Sequence, residues 1–89
     1  MTPEQKKLFR DALLAALVTA APLSLPAATL KGAARAAGFR TDDAELAREL
    51  DYLVKSGLAI ETAAKLSAGA RRWSSTAAAV EYAESEGLV

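Results

Sequence analysis

The sequence predicts a mostly helical α+β domain in which three helices precede a two-stranded hairpin and a short closing helix. Apolar residues recur at helical spacing as far as Gly57 and alternate along the chain from Leu58 onward. Residues typical of caps and turns separate these segments. The length of 89 residues fits one domain spanning residues 1–89, since compact domains typically hold about 100–150 residues.

The first helix is predicted by a start signal and by an apolar face. Thr2 and Gln5 have the spacing of a capping box. The residues that recur on one helical face are Leu8, Ala12, Leu13, Ala16 and Leu17. Phe9 and Val18 fall off this face. They either complete the core or form, with the last helix, the interface of a homodimer.

The second helix is predicted over residues 27–37, after a short strand over residues 23–25. Its predicted inner face consists of Leu30, Ala33, Ala34 and Ala37. Gly38 is placed to end the helix in a left-handed conformation, with Phe39 folding back onto the core. Gly32 costs about 1 kcal/mol in a helix interior. We interpret it as the mark of a close approach by another helix.

The third helix has the strongest pattern in the chain. Asp42 and Glu45 have capping-box spacing at its start. Its predicted buried stripe consists of Leu46, Leu50 and Leu53. Gly57 is predicted to end the helix, and Leu58 to pack back against the core.

The hairpin is predicted from a change to alternating residues. The covered face of its first strand is assigned to Leu58, Ile60, Thr62, Ala64 and Leu66. Residues 67–70 supply the turn, and residues 71–75 return as the second strand with Trp73 directed inward. Core packing is the expected role of this indole.

The closing helix is predicted to follow a cap at Thr76 or Ser75 and to continue to about Glu86. Val80 and Tyr82 are expected on its inner side. This helix either completes the core of its own domain or forms, together with the first helix, the interface of a homodimer.

Composition argues against an enzyme and against a metal site. The chain has no cysteine and no histidine, so it lacks disulfides, the usual zinc ligands and the commonest general base. It also lacks a phosphate-binding glycine-rich loop and a nucleophile motif. We therefore expect no catalytic residues, no cofactor and no metal.

Charge and hydropathy predict neither a membrane span nor a cleaved secretory signal. Lys6, Lys7 and Arg10 precede an apolar run over residues 12–18, which resembles a secretory signal. Two features favour an ordinary helix instead. Asp11 lies at the edge of this short run, and the apolar residues of the run lie on one side of a helix. No stretch approaches the roughly 20 apolar residues of a membrane span. We expect a cytoplasmic protein without a membrane partner.

Leu50, Leu53, Gly57 and Leu58 follow the spacing L-x-x-L-x-x-x-G-L. This phrase resembles the end of the recognition helix in bacterial winged helix-turn-helix families of the MarR, ArsR and PadR kind. Residues 25–34 resemble the second helix of such domains. Residues 72–76 and the helix after them are similar to small winged-helix proteins of Mu-like prophages.

The resemblance implies a three-helix core, a two-stranded β-wing and a short C-terminal helix. It also implies duplex DNA as the partner, with the third helix in the major groove and the wing near the minor groove or the backbone. The expected role is that of a bacterial or prophage transcriptional regulator or accessory factor. Because the same fold also serves in protein recognition, the fold alone does not decide the function.

Candidate DNA contacts lie on the third helix and on its flanks. Arg48 is placed to read a base edge, and Lys55 shares the outward face. The candidate phosphate contacts are Lys31, Arg35, Arg40, Lys65, Arg71 and Arg72. In the alternative for these flanks, Arg71 or Arg72 pairs with a glutamate, and Lys31 and Arg35 are simply solvated.

The acidity of the third helix supports a second hypothesis about function. Its acidic residues are Asp42, Asp43, Glu45, Glu49 and Asp51. Carboxylates near a helix start stabilise the helix because they interact favourably with its dipole, but they also repel phosphates. Overall, 11 basic residues balance 11 acidic residues, so net charge does not favour nucleic acid. The alternative function is therefore a protein-interaction module that docks its partner on the acidic third helix and binds no DNA.

Overall fold

The structure, a computed structural model, describes residues 2–63 and 71–89. The elements in chain order are α1 (Pro3–Ala20), β1 (Leu25–Pro26), α2 (Ala27–Ala36), α3 (Asp43–Lys55), β2 (Ala59–Ala63), β3 (Arg71–Ser75) and α4 (Ala77–Ser85). The strands pair antiparallel in the order β1-β3-β2. In these ranges the protein is a compact, mostly helical α+β domain, as predicted. None of the helices described is long and apolar enough to cross a membrane.

One core joins all four described helices to the sheet. Its largest fully buried side chains are Phe9, Leu13, Leu14, Leu17, Leu30, Leu46, Leu50, Leu53 and Trp73. The predicted stripe of α3 and the inward direction of Trp73 are therefore confirmed. The register pairs Trp73 with Leu25 on one side and with Glu61 on the other, so β3 is the central strand.

The buried face of α1 is rotated from the predicted face: Leu13 and Leu17 are buried as predicted, but Phe9 and Leu14 are buried with them, and Ala12 and Ala16 are only partly buried. Phe9 is fully buried, whereas Leu8 is 57% exposed. The actual stripe joins Phe9 to Leu13 and Leu17, which have the spacing of one helical face. The prediction was wrong at Leu8 because leucine and alanine gave the neighbouring face an equally apolar pattern. Since Phe9 lies in the core of its own domain, it is not available for a homodimer interface.

The turns at both ends of α3 follow the predicted chemistry. The Asp42 side chain accepts a hydrogen bond from the Glu45 backbone amide at 2.7 Å, as an N-cap should. Gly38 and Gly57 have φ values of 94° and 78°, in the left-handed region that glycine adopts without steric cost. Phe39 folds back, and its ring meets that of Phe9 edge to face at 5.5 Å.

The predicted details of α2 need two corrections. The helix ends at Ala36, so Ala37 lies beyond the last turn and is exposed rather than buried. A Cβ atom added at Gly32 would meet nothing within 4 Å, so no other helix approaches that position closely. Leu30 and Ala34 form the buried face, as predicted.

The covered face of β2 is also the opposite of the predicted one. Ala59 is buried and Ile60 is 53% exposed. The cause is the turn at Gly57, since Leu58 packs on the core before the strand begins at Ala59. Residues paired across antiparallel strands share a face, so Ala59 and Glu61 lie on the face that carries Trp73. The predicted turn over residues 67–70, and the assignments of Ala64 and Leu66, lie outside the described residues.

Helix α4 closes the core through small side chains. Thr76 is its N-cap, as predicted, and its hydroxyl accepts a hydrogen bond from the Ala79 amide at 3.2 Å. The same hydroxyl donates to the Gly57 carbonyl at 2.7 Å, which ties the start of α4 to the end of α3. Ala79 and Ala83 are fully buried, whereas the predicted Val80 and Tyr82 are only partly buried.

Candidate nucleic-acid interface

The outward face of α3 carries two exposed cations. Leu46, Leu50 and Leu53 are buried in the core. Arg48 lies about 200° around the helix from Leu46, so its side chain leaves the domain on the opposite side. Lys55 follows Arg48 by two turns and shares this side. Neither side chain forms a hydrogen bond or salt bridge within the described part of the chain.

Three of the carboxylates on α3 accept hydrogen bonds from cations of other elements. The pairs are Lys31–Asp43 at 2.9 Å, Arg71–Asp51 at 3.0 Å, and Arg10–Glu49. A fourth carboxylate, that of Asp42, is the N-cap of the helix. Three of the five acidic residues counted for this helix in the sequence are therefore paired with cations, whereas Asp42 and Glu45 have no cationic partner among the described residues.

Arg71 lies between two carboxylates and an aromatic ring. Its guanidinium donates to both oxygens of Glu61 and to Asp51, and it lies 5.1 Å from the centre of the Trp73 ring. Donation to Glu61, reinforced by Asp51, raises the pKa of Arg71 above its ordinary value. The same hydrogen bond lowers the pKa of the Glu61 carboxyl. These contacts tie the hairpin to α3 and leave Arg71 less free to contact a phosphate.

Arg72 lies on the other face of the sheet from Arg71, because neighbouring strand residues point in opposite directions. Its Nε donates to the Ser24 hydroxyl at 2.9 Å, and a terminal amino group donates to the Ser24 carbonyl at 2.8 Å. Both acceptors are neutral, so no carboxylate among the described residues offsets the charge of Arg72. Two arginines are expected on the wing. Arg71 pairs with Glu61, which matches the alternative prediction that one of them binds a glutamate.

Two further arginines lie close to the turn between α2 and α3: Arg35 at the end of α2 and Arg40 in the turn itself. Arg35 and Arg40 both line an open depression together with Phe39 and Thr41. Neither arginine forms a salt bridge with any described residue. Lys31, the third candidate in this region, is bound to Asp43. Lys65 lies outside the described residues.

The charges are unevenly distributed over the described elements. The cations without a carboxylate partner there are Lys6 on α1 and five residues in or next to α2, α3 and β3, namely Arg35, Arg40, Arg48, Lys55 and Arg72. By contrast, the segment from Thr76 to Val89 contains three glutamates and no basic residue. Most of the available positive charge in the described ranges therefore lies in or next to α2, α3 and β3, whereas the closing helix is acidic.

Sequence reasoning missed the ionic contacts of α1. Arg10 bonds to the nearly buried Glu49 and lies 3.7 Å from the centre of the Tyr52 ring. These partners are far from Arg10 in sequence, so no local pattern signals the contact. The contact between Lys7 and Asp11 does have a signal, because opposite charges four residues apart meet on a helix.

The described residues contain no group of three or more carboxylates arranged to hold a metal ion. Comparison with known proteins gave no match, whether to a protein-family model, to a curated protein or to a solved structure.

Proposed function

We propose that this chain is a winged helix-turn-helix domain that binds duplex DNA through α3. The support is the order of elements, in which a short strand precedes two helices and joins the later hairpin in one sheet. Such domains place their third helix in the major groove. One observation carries the proposal: among the described residues, Arg48 and Lys55 on the outward side of α3 have no partner, while three carboxylates of the same helix are bound to cations.

In this proposal Arg48 reads a base edge, because a guanidinium can donate two hydrogen bonds to guanine in the major groove. Phosphate contacts are assigned to Arg35 at the end of α2, to Arg40 in the turn after it, to Lys55 at the end of α3, and to Arg72 on the hairpin. Arg71 has a supporting role, because its bonds to Asp51 and Glu61 hold the hairpin against α3. The biological role that follows is that of a transcriptional regulator or accessory factor.

The test is a fluorescence-anisotropy titration of the whole chain with labelled duplexes selected for tight binding from a random-sequence library. We expect binding at about 50 mM salt, with a log–log salt slope of about −3 to −4 if four phosphates are neutralised. Arg48→Ala is expected to weaken binding by about tenfold or more, since a good bidentate base contact is worth about 1–3 kcal/mol. Arg48→Lys keeps the charge and tests whether the guanidinium geometry is needed.

The matched control is Lys6→Ala, which removes one exposed positive charge from the first turns of α1. It should leave DNA affinity within about twofold of the wild-type value, because the site lies on α3 and not on that turn. Absence of duplex binding at low salt, or equal losses for the variants at positions 6 and 48, would remove the proposal.

The competing hypothesis of a protein-interaction module rests on the acidity of α3. Three of its carboxylates are bound to cations, which reduces the negative charge available to a partner. The same titration separates the two functions, because a protein-docking module would show neither duplex binding nor a salt dependence of the expected slope.

A further inference from the structure

A small cavity of about 170 Å³ opens where α1, α3 and α4 meet. Leu14, Leu53 and Leu58 give it apolar walls. Its volume is below the roughly 300–1,000 Å³ typical of sites for drug-sized molecules. The cavity therefore fits only a small ligand with a short apolar body.

The polar groups around the cavity have hydrogen-bond donors to spare. Arg10 uses its Nε to bind Glu49, which leaves its two terminal amino groups without an acceptor among the described residues. The Tyr52 hydroxyl likewise has no hydrogen bond in the described ranges. The guanidinium of Arg10 lies over the Tyr52 ring, which restricts the positions it can take.

The carboxylate of Asp11, which lines the cavity, already has two donors. Asp11 accepts hydrogen bonds of 2.9 Å from Lys7 and from the Tyr82 hydroxyl. Glu49, which does not itself line the cavity, accepts from Arg10, so each of the two carboxylates has a cationic partner. Among the described residues, the remaining donors of Arg10 and Tyr52 therefore have no acceptor, and a ligand at this site would have to supply one. Among small groups, a carboxylate best matches the paired N–H donors of a guanidinium.

We propose that this cavity binds a small monocarboxylate, with its short apolar chain against the three leucines and its carboxylate on the terminal amino groups of Arg10. The proposal goes beyond DNA binding and does not depend on it. Tyr52 and Leu53 belong to α3, so the ligand would lie against the same helix that carries Arg48.

The experiment is a heteronuclear NMR titration of the ¹⁵N-labelled whole chain, without DNA, using sodium hexanoate as the probe. Hexan-1-ol, with sodium chloride matched to the hexanoate arm, is the uncharged control. We expect saturable shifts of backbone amides near Arg10, Tyr52 and Leu58. Hexanol should bind about tenfold more weakly or worse, because hydrogen bonds to an ionised acceptor are roughly twice as strong as neutral ones.

Two variants test the assignment of the site. Arg10→Lys keeps a positive charge beside Glu49 but removes the fork of donors, so hexanoate affinity should fall by about tenfold. Leu58→Phe adds volume at the cavity wall without changing charge and should abolish the saturable shifts. Lys6→Gln, on the same helix but away from the cavity lining, should bind hexanoate as the wild type does.

Shifts that grow linearly without saturation would overturn the proposal. So would equal affinities for hexanoate and hexanol, or unchanged hexanoate binding by both cavity variants. Circular dichroism of each variant checks the fold, and the two cavity variants change different properties, so loss of folding in one leaves the other as the test.

Discussion

The side chain of Phe9 links the longest helix to the turn that precedes α3. It is fully buried, and its ring meets Phe39 edge to face. Leu8, its neighbour in sequence, projects away and is more than half exposed. Two large apolar residues at consecutive positions thus have very different environments, because a helix rotates about 100° per residue.

We predict that Phe9→Ala lowers the free energy of unfolding by about 3–5 kcal/mol, the usual cost of truncating a buried aromatic residue. Leu8→Ala should change it by less than about 0.5 kcal/mol, as is usual for exposed positions. Urea denaturation measures both. Phe9→Leu provides a milder variant if the alanine variant is unfolded. Equal effects at positions 8 and 9 would contradict the placement of α1.

At the scale of elements, two glycines meet different requirements. Gly57 ends α3 with a φ of 78°, a conformation that a residue with a side chain adopts only at a cost. Gly32 lies inside α2, where an added Cβ would contact nothing within 4 Å. The first glycine is needed for the turn into β2, whereas the second weakens its helix without serving a contact.

Gly57→Ala is expected to lower the free energy of unfolding by about 1–2 kcal/mol, because the left-handed conformation is strained for alanine. Gly32→Ala should raise it by about 0.5–1 kcal/mol, because alanine is the better helix former and the site has room. Thermal and urea denaturation of the two variants give the comparison. A stabilising effect at position 57, or a destabilising one at position 32, would argue against these backbone assignments.

The elements also show which features could be predicted from the sequence. Helix α3 could be predicted because Asp42, the leucine stripe and Gly57 are all local signals that agree with one another. The side of α1 that faces the core could not, because alanines and leucines made two adjacent faces similarly apolar. For β2, Ile60 outweighed Ala59 in the pattern, although only the turn at Gly57 decides which one is covered.

The same limit applies to the candidate site. The outward directions of Arg48 and Lys55 follow from the periodicity of α3 alone. The partners of Lys31 and Arg71 do not, since Asp43 and Asp51 come within bonding distance only when the elements pack. Sequence reasoning therefore identified the cations but could not tell which of them the domain itself already uses.

At the scale of the whole molecule, a nearly buried carboxylate joins the first and last helices. Asp11 accepts a hydrogen bond of 2.9 Å from Tyr82 on α4 and another from Lys7 on α1. Burial, followed by the hydrogen bond to Asp11, raises the pKa of Tyr82 above its ordinary value of 10.0. The hydrogen bond to the same carboxylate raises the pKa of Lys7.

Both groups hold their protons more tightly in the folded state than in the unfolded chain. Their stabilising contribution is therefore complete below pH 10 and is lost as the pH rises through their folded-state pKa values. We predict that the free energy of unfolding declines as the pH rises above about 10, and that Tyr82→Phe makes this decline shallower. Urea midpoints across this range measure it. Tyr52→Phe is the control and should keep the wild-type slope, and a Tyr82→Phe slope equal to the wild-type slope would contradict the prediction.

The chain contains a single tryptophan, and the structure buries it in the core under the guanidinium of Arg71. Its ultraviolet emission consequently originates from one place, the junction of the sheet with the rest of the domain. While that junction is intact the indole is shielded from water and emits at shorter wavelengths. Any event that separates the hairpin from α3 can thus be followed optically, without attaching a label.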